Sequence, residues 1–151
     1  MTLDRDLLEL LELFRTNDVE FLVVGGLAVA FHGHPRHTDD LDLFVRPDAA
    51  NGSKIVAALR EFGFGSLEIS AQDFEAHDRV IQLGVAPNRI DLLTRLYGVE
   101  FGEVWTARVD GEIDGVPVSF IDAVSLIRNK RATGRMQDLA DVEALERMRP
   151  D

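Results

Sequence analysis

The chain opens on apolar residues at helical spacing. Leu3, Leu7, Leu8, Leu11 and Phe14 share one face of a 3.6-residue repeat, with Asp4, Asp6, Glu9 and Glu12 among them. Thr2 can cap the start and Asn17-Asp18 stops the run, so the pattern predicts an amphipathic helix over residues 3–16. The apolar run at residues 19–24, rich in β-branched side chains, predicts a short buried strand. Gly25-Gly26 then opens a short helix through Phe31, His32 to Pro35 form a loop, and residues 41–45 predict a second strand. Pro47-Asp48 caps a helix over residues 49–62, with Ile55, Val56, Leu59 and Phe62 as its inward stripe and Gly63 as its end.

Further along, residues 66–70, 80–85 and 89–93 predict strands, the last two joined as a hairpin across Ala86-Pro87-Asn88. Residues 106–113 and 116–120 predict two more strands around the Asp114-Gly115 turn. Asp122 caps a helix that continues to about Ala132, Gly134 breaks it, and a last helix covers residues 135–148 with Met136, Leu139, Val142 and Leu145 as its apolar stripe. No repeat or linker interrupts this order. The expectation is one α/β (α+β) domain over residues 1–151, a mixed β-sheet flanked by helices with further helices at the C-terminal end.

Composition narrows the classes. A chain of 151 residues with 46% hydrophobic content can bury one ordinary core. It has no cysteine, which excludes disulfides, thiolate metal sites and cysteine nucleophiles. A net charge of -11 repels phosphate backbones and argues against nonspecific nucleic-acid binding. The acids among the first leucines are foreign to a signal peptide or membrane span, so a cytoplasmic location is expected.

The chemistry concentrates in residues 35–45. Period-two alternation puts Asp40 and Asp42 on one face of a strand and Leu41, Leu43 and Val45 on the other. Adjacent carboxylates repel unless a cation neutralises them, and magnesium, which takes hard oxygen ligands together with substrate phosphates, suits the pair. Asp91, in the apolar strand at residues 89–93, is the best third carboxylate for a two-metal site. A plainer reading treats residues 39–42 as a solvated turn, or pairs the acids with Arg36 and Arg89. Gly25-Gly26, between a buried strand and a helix, can hold a phosphate on its backbone N–H groups, although a tight turn needs glycine on steric grounds as well.

Gly25-Gly26, then Arg36-x-Thr38-x-Asp40-x-Asp42-Leu43, then Asp91 in a later strand resembles the active-site pattern of the DNA polymerase beta nucleotidyltransferase superfamily. The likeness is greatest to its small bacterial members, among them abortive-infection toxins and the lincosamide and aminoglycoside nucleotidyltransferases, and its motifs span residues 19–93. The resemblance implies a nucleotidyltransferase fold in which Gly25 and Gly26 contact phosphate, Asp40, Asp42 and Asp91 bind magnesium (or manganese), and Asp91 helps activate an attacking hydroxyl. The implied reaction moves a nucleoside monophosphate from a nucleoside triphosphate to an acceptor hydroxyl: on a small molecule, a tRNA end or a protein. The alternative is a noncatalytic nucleotide-binding or antitoxin-like module that keeps the fold.

The neighbouring cations admit two readings. Arg36 either faces phosphate or pairs with Asp39, and Thr38 orients the loop. Arg128, Lys130, Arg131 and Arg135 cluster in an otherwise acidic chain and are similar to the family's C-terminal pattern. Lys130 and Arg135 either reach the triphosphate, or complement a helix C-terminus and pair with Asp138 and Asp141. His32-Gly33-His34 lacks the further ligands zinc requires and reads as a solvated loop, while Tyr97 and Trp105 read as packing or rim residues.

Overall fold

The computed structural model describes residues 3–34, 40–64, 68–84 and 89–148. The first helix, α1 (Arg5–Thr16), buries Leu7, Leu11 and Phe14 of the expected stripe together with Leu10, whereas Leu3 and Leu8 are only partly buried. Its cap is Asp4, whose side chain accepts from the Asp6 N–H. The expected cap, Thr2, lies outside the described residues. Next come β1 (Phe21–Val24), α2 (Gly25–Phe31), β2 (Asp40–Val45) and α3 (Ala49–Phe62), the last capped by Asp48. Asn51, buried in the first turn of α3, accepts from the Glu20 N–H and donates to the Glu20 and Arg46 carbonyls. It thereby ties the outer ends of β1 and β2 together.

Three expectations need correction. Of the strand expected over residues 66–70, residues 66 and 67 lie outside the described residues and 68–70 are not a strand; they lead into a 3-10 turn, Ala71–Phe74, closed by a reciprocal cap between Ser70 and Asp73. That cap satisfies backbone donors locally and competes with strand pairing. The strand expected over residues 106–113 begins only at Val109, because residues before it form a helix, α4 (Phe101–Thr106). Phe101 and Val104, one turn apart, bury together, and the Phe101 ring meets Phe44 edge-on at 5.0 Å. In the last helix only Val142 and Leu145 of the expected stripe are buried; Met136 is 91% exposed and Leu139 52%. Asp138 and Asp141 take the inward positions instead.

The remaining elements are β3 (Val80–Leu83), β4 (Arg89–Leu93), β5 (Val109–Ile113), β6 (Val116–Phe120), α5 (Ala123–Thr133) and α6 (Met136–Met148). β3 and β4 pair antiparallel as expected, while the connection proposed at 86–88 lies outside the described residues. Asp114 and Gly115 both have positive φ, the backbone a two-residue turn of this hand requires. The six strands form one mixed sheet in the order β3-β4-β2-β1-β6-β5, with β2/β4 and β1/β6 parallel and the other pairs antiparallel. β1 and β2 are central and contribute eight of their ten side chains to the buried core. The two exceptions are Asp40 and Asp42. Among the described residues no helix is long and apolar enough to cross a membrane.

Candidate functional site

The parallel register of β2 and β4 sets Asp40 opposite Arg89 and Asp42 opposite Asp91. Side chains alternate along each strand, so these four rise from the same face. Leu41, Leu43, Ile90 and Leu92 turn to the other face and are buried in the core. β1 completes the edge: Val24 pairs with Asp42, and the chain turns immediately afterwards at Gly25.

Glycine is required there for two independent reasons. Gly25 has φ +66°, and a methyl group in place of its hydrogen would lie 2.3 Å from Asp42 Oδ2. The turn and the carboxylate are therefore in contact.

This packing is electrostatically costly. Burial pushes the Asp42 carboxyl up, the charges of Asp91 and Asp40 and a hydrogen bond to Asp91 push it further, and Lys130 only partly opposes them; the result is a pKa of about 6. Among the described residues, Arg89 is a cation bound to this cluster. Its Nε donates to Asp91 Oδ1 at 3.1 Å and its Nη2 to Asp91 Oδ2 at 2.9 Å, while Nε lies 3.8 Å from Asp40 Oδ1. Held in this way, the guanidinium has its pKa raised, chiefly by the hydrogen bond to Asp91.

The acids open onto a cleft of about 580 Å³ whose wall includes Gly25, Gly26, Arg89, Lys130 and Arg135. Lys130 is nearly buried; its Nζ lies 3.3 Å from Asp138 Oδ1 and 3.4 Å from Asp141 Oδ2. Arg135 is mostly exposed, and its Nε donates to Asp138 Oδ2 at 2.8 Å. Burial raises Asp138, but hydrogen bonds from Arg135 and Thr133 and the charge of Lys130 outweigh it and hold the carboxyl well below its usual range. Both basic residues thus pair with acids of α6 and also border the cleft. Arg36 and Thr38 lie outside the described residues.

Other residues enter the cleft that the motifs do not mark. Tyr97 is half exposed on its wall, its ring 4.7 Å from the Arg95 guanidinium carbon and its carbonyl held by Asn129 Nδ2. Trp105 is a packing residue, stacked on Phe101 and covered by Arg108. His32 is not simply solvated, since its Nε2 lies 2.7 Å from the Ile121 carbonyl oxygen and donates to it. Among the described residues no three Asp, Glu or His side chains form a ready metal-binding group. Magnesium does not need such a cage, since it uses one or two carboxylates and completes its shell with water and phosphate.

No curated protein matches this sequence. The fold is that of two solved structures. A Thermotoga maritima protein whose name suggests a nucleotidyltransferase is 15% identical with a TM-score of 0.59, over 96% of this chain and 92% of its own. An antigenic nucleotidyltransferase-like protein from Paracoccidioides brasiliensis is 17% identical with a TM-score of 0.53, over 98% of this chain and 78% of its own. The family model for aminoglycoside-2''-adenylyltransferase matches residues 6–122, a span that contains the glycine turn, both strand-borne acidic positions of β2 and that of β4. By that match, on a nucleotidyltransferase-like fold, the chain belongs to the aminoglycoside-2''-adenylyltransferase family.

Proposed function

We propose that the protein transfers a nucleoside monophosphate from a nucleoside triphosphate to an acceptor hydroxyl. One observation carries this reading: Asp40, Asp42 and Asp91 rise from adjacent strands beside the Gly25 turn and face an open cleft. The raised pKa of Asp42, pushed up by burial and then by the charges of Asp91 and Asp40, supports the same reading.

The donor set fits magnesium, with manganese as a substitute. Its carboxylate oxygens are hard ligands, and the charges of Asp91 and Asp40, which after burial raise the Asp42 pKa, are a repulsion that a bound cation would relieve. Asp40 and Asp42 would hold the metal, with Asp91 as the third ligand. Bound there, the metal supplies positive charge beside the attacked phosphate and acidifies the acceptor hydroxyl.

The chain's own groups do the rest. Asp91 takes the proton of the acceptor hydroxyl as its oxygen bonds to the α-phosphorus. The bond from that phosphorus to the bridging oxygen breaks, and pyrophosphate departs. The Gly25 and Gly26 N–H groups bind phosphate oxygens, and Lys130 and Arg135 offset their charge.

The family's name favours adenylate as the group transferred and a small polyamine alcohol as its acceptor. The charge of -11 supports a cationic acceptor over a nucleic acid. An adjoining cleft of about 530 Å³ shares Arg95 and Leu96 with the first and bears Glu100 and Glu103, which suits such an acceptor.

The experiment combines melting curves with magnesium and each of ATP, GTP, CTP and UTP, and pyrophosphate release in the presence of aminoglycosides. A triphosphate-dependent rise in melting temperature together with acceptor-dependent pyrophosphate release is expected. Stabilisation without pyrophosphate release would mark a noncatalytic nucleotide-binding module. A shift no larger than that from magnesium alone would remove the nucleotide from the account altogether.

A further inference from the structure

Arg89 occupies an unusual place. It precedes Asp91 by two residues on β4, so the period of the strand puts both side chains on the site's face. Its guanidinium takes both oxygens of Asp91 in a two-pronged contact and reaches toward Asp40 across the register. The cation therefore sits among the same carboxylates assigned above to the divalent metal. It is also only half-buried and lines the cleft, so its side chain has somewhere else to go.

We propose that Arg89 is an internal counterion that neutralises the acidic cluster before the metal arrives, competes with the metal for Asp91, and on release turns to the phosphates of the nucleotide. The proposal rests on the metal-binding reading of Asp40, Asp42 and Asp91. A guanidinium beside a divalent ion is repelled by it, whereas triphosphate oxygens on the open side of the cleft attract it. Metal and nucleotide are then coupled through one side chain: metal frees the arginine, and the arginine then binds phosphate.

A passive alternative has Arg89 as a fixed prop that orients Asp91, and the two roles predict opposite signs. If Arg89 competes, its removal tightens metal binding; if it only props, removal loosens it. Manganese alone, titrated into the full chain without nucleotide and followed by the electron-spin signal of free Mn2+, distinguishes them. For Arg89→Gln the expected result is manganese affinity raised by about tenfold, the scale of one lost like-charge contact near a partly exposed site. With manganese saturating, the same variant should bind ATP several-fold more weakly than wild type.

Arg89→Lys keeps the charge but not the two-pronged contact, and should fall between wild type and Arg89→Gln in manganese affinity; it also serves if Arg89→Gln does not fold. Manganese affinity unchanged or reduced in a folded variant overturns the proposal and leaves the nucleotidyltransferase reading intact. If neither wild type nor variant binds manganese, that reading fails and the counterion role fails with it.

Discussion

Asp42 and Asp91 stand opposite each other on neighbouring parallel strands, at the point where Gly25 brings its backbone against the Asp42 carboxylate. Two acids in that relation oppose each other in the metal-free protein, and on the proposed reading they would hold a cation together. Replacing one should therefore separate stability from function. Asp42→Asn is expected to reduce nucleotidyl transfer by at least about a hundredfold while the fold survives. Circular dichroism and pyrophosphate release measured on the same sample test this. Activity within a few fold of wild type would remove Asp42 from the mechanism.

The pH dependence follows from the direction of the Asp42 shift. The folded-state pKa is about 6, above the ordinary 3.8, so between these values the native state holds a proton that the unfolded state has lost. Stability from this group thus declines as pH rises through that window, and the full penalty stands above pH 6. Asp42→Asn should consequently be more stable than wild type at pH 7.5 without metal, by up to about 3 kcal/mol, with the difference closing toward pH 4. Chemical denaturation at a series of pH values reads it out. An advantage that persists unchanged at pH 4 contradicts this origin.

Metal binding should show the reverse trend. A protonated Asp42 is a poor ligand, so manganese affinity is expected to fall as pH drops below about 6. Calorimetric titrations with manganese alone at pH 5, 6 and 7.5 measure this. An affinity constant across that range removes Asp42 from the ligand set.

Gly25→Ala tests the contact between turn and carboxylate. The φ of +66° disfavours any side chain, and the new methyl group would meet Asp42 Oδ2. A loss of roughly 1–3 kcal/mol of stability is expected, together with weakened manganese binding, because the displaced carboxylate is a proposed ligand. Gly63→Ala is a suitable control, since that glycine also has positive φ but nothing within 4 Å. Manganese affinity unaltered in Gly25→Ala and in the control alike would show that the contact does not position Asp42.

Lys130 and Arg135 should differ sharply. Lys130 lies between two buried aspartates, so Lys130→Met leaves carboxylates uncompensated and is expected to cost about 3–5 kcal/mol in urea unfolding. Arg135 is 76% exposed at its side chain, and Arg135→Gln should cost much less while weakening ATP binding. Equal destabilisation by the two variants would contradict the burial argument.

Much of this architecture was legible in the order of residues. The leucine repeat of α1, the β-branched run before Gly25, the alternation around Asp40 and Asp42, and the Asp114-Gly115 turn each carry their own local physical signal, and each element forms where that signal lies. The departures have local or tertiary causes. The Ser70 and Asp73 cap is a short-range pattern hidden by a β-rich composition. The helix at Phe101–Thr106 depends on Phe44 being present to receive Phe101, which nothing near residue 101 encodes.

The clearest contrast lies in the acids of α6. Asp138 and Asp141 occupy the inward face, while Met136 and Leu139 face outward, because Lys130 from α5 is buried opposite them and requires carboxylates as partners. The sequence offered the pairing of Lys130 and Arg135 with these acids as one of two readings, but the apolar spacing of the helix did not reveal that the acids would take the inward face. The sequence by itself determined that Asp40 and Asp42 share a face and that Asp91 lies on an alternating strand, since a two-residue period is a property of the backbone alone. Only the tertiary structure decided that Asp91 stands beside Asp42 with Arg89 bridging to Asp40, because strand order and register follow from how the whole sheet buries its apolar faces.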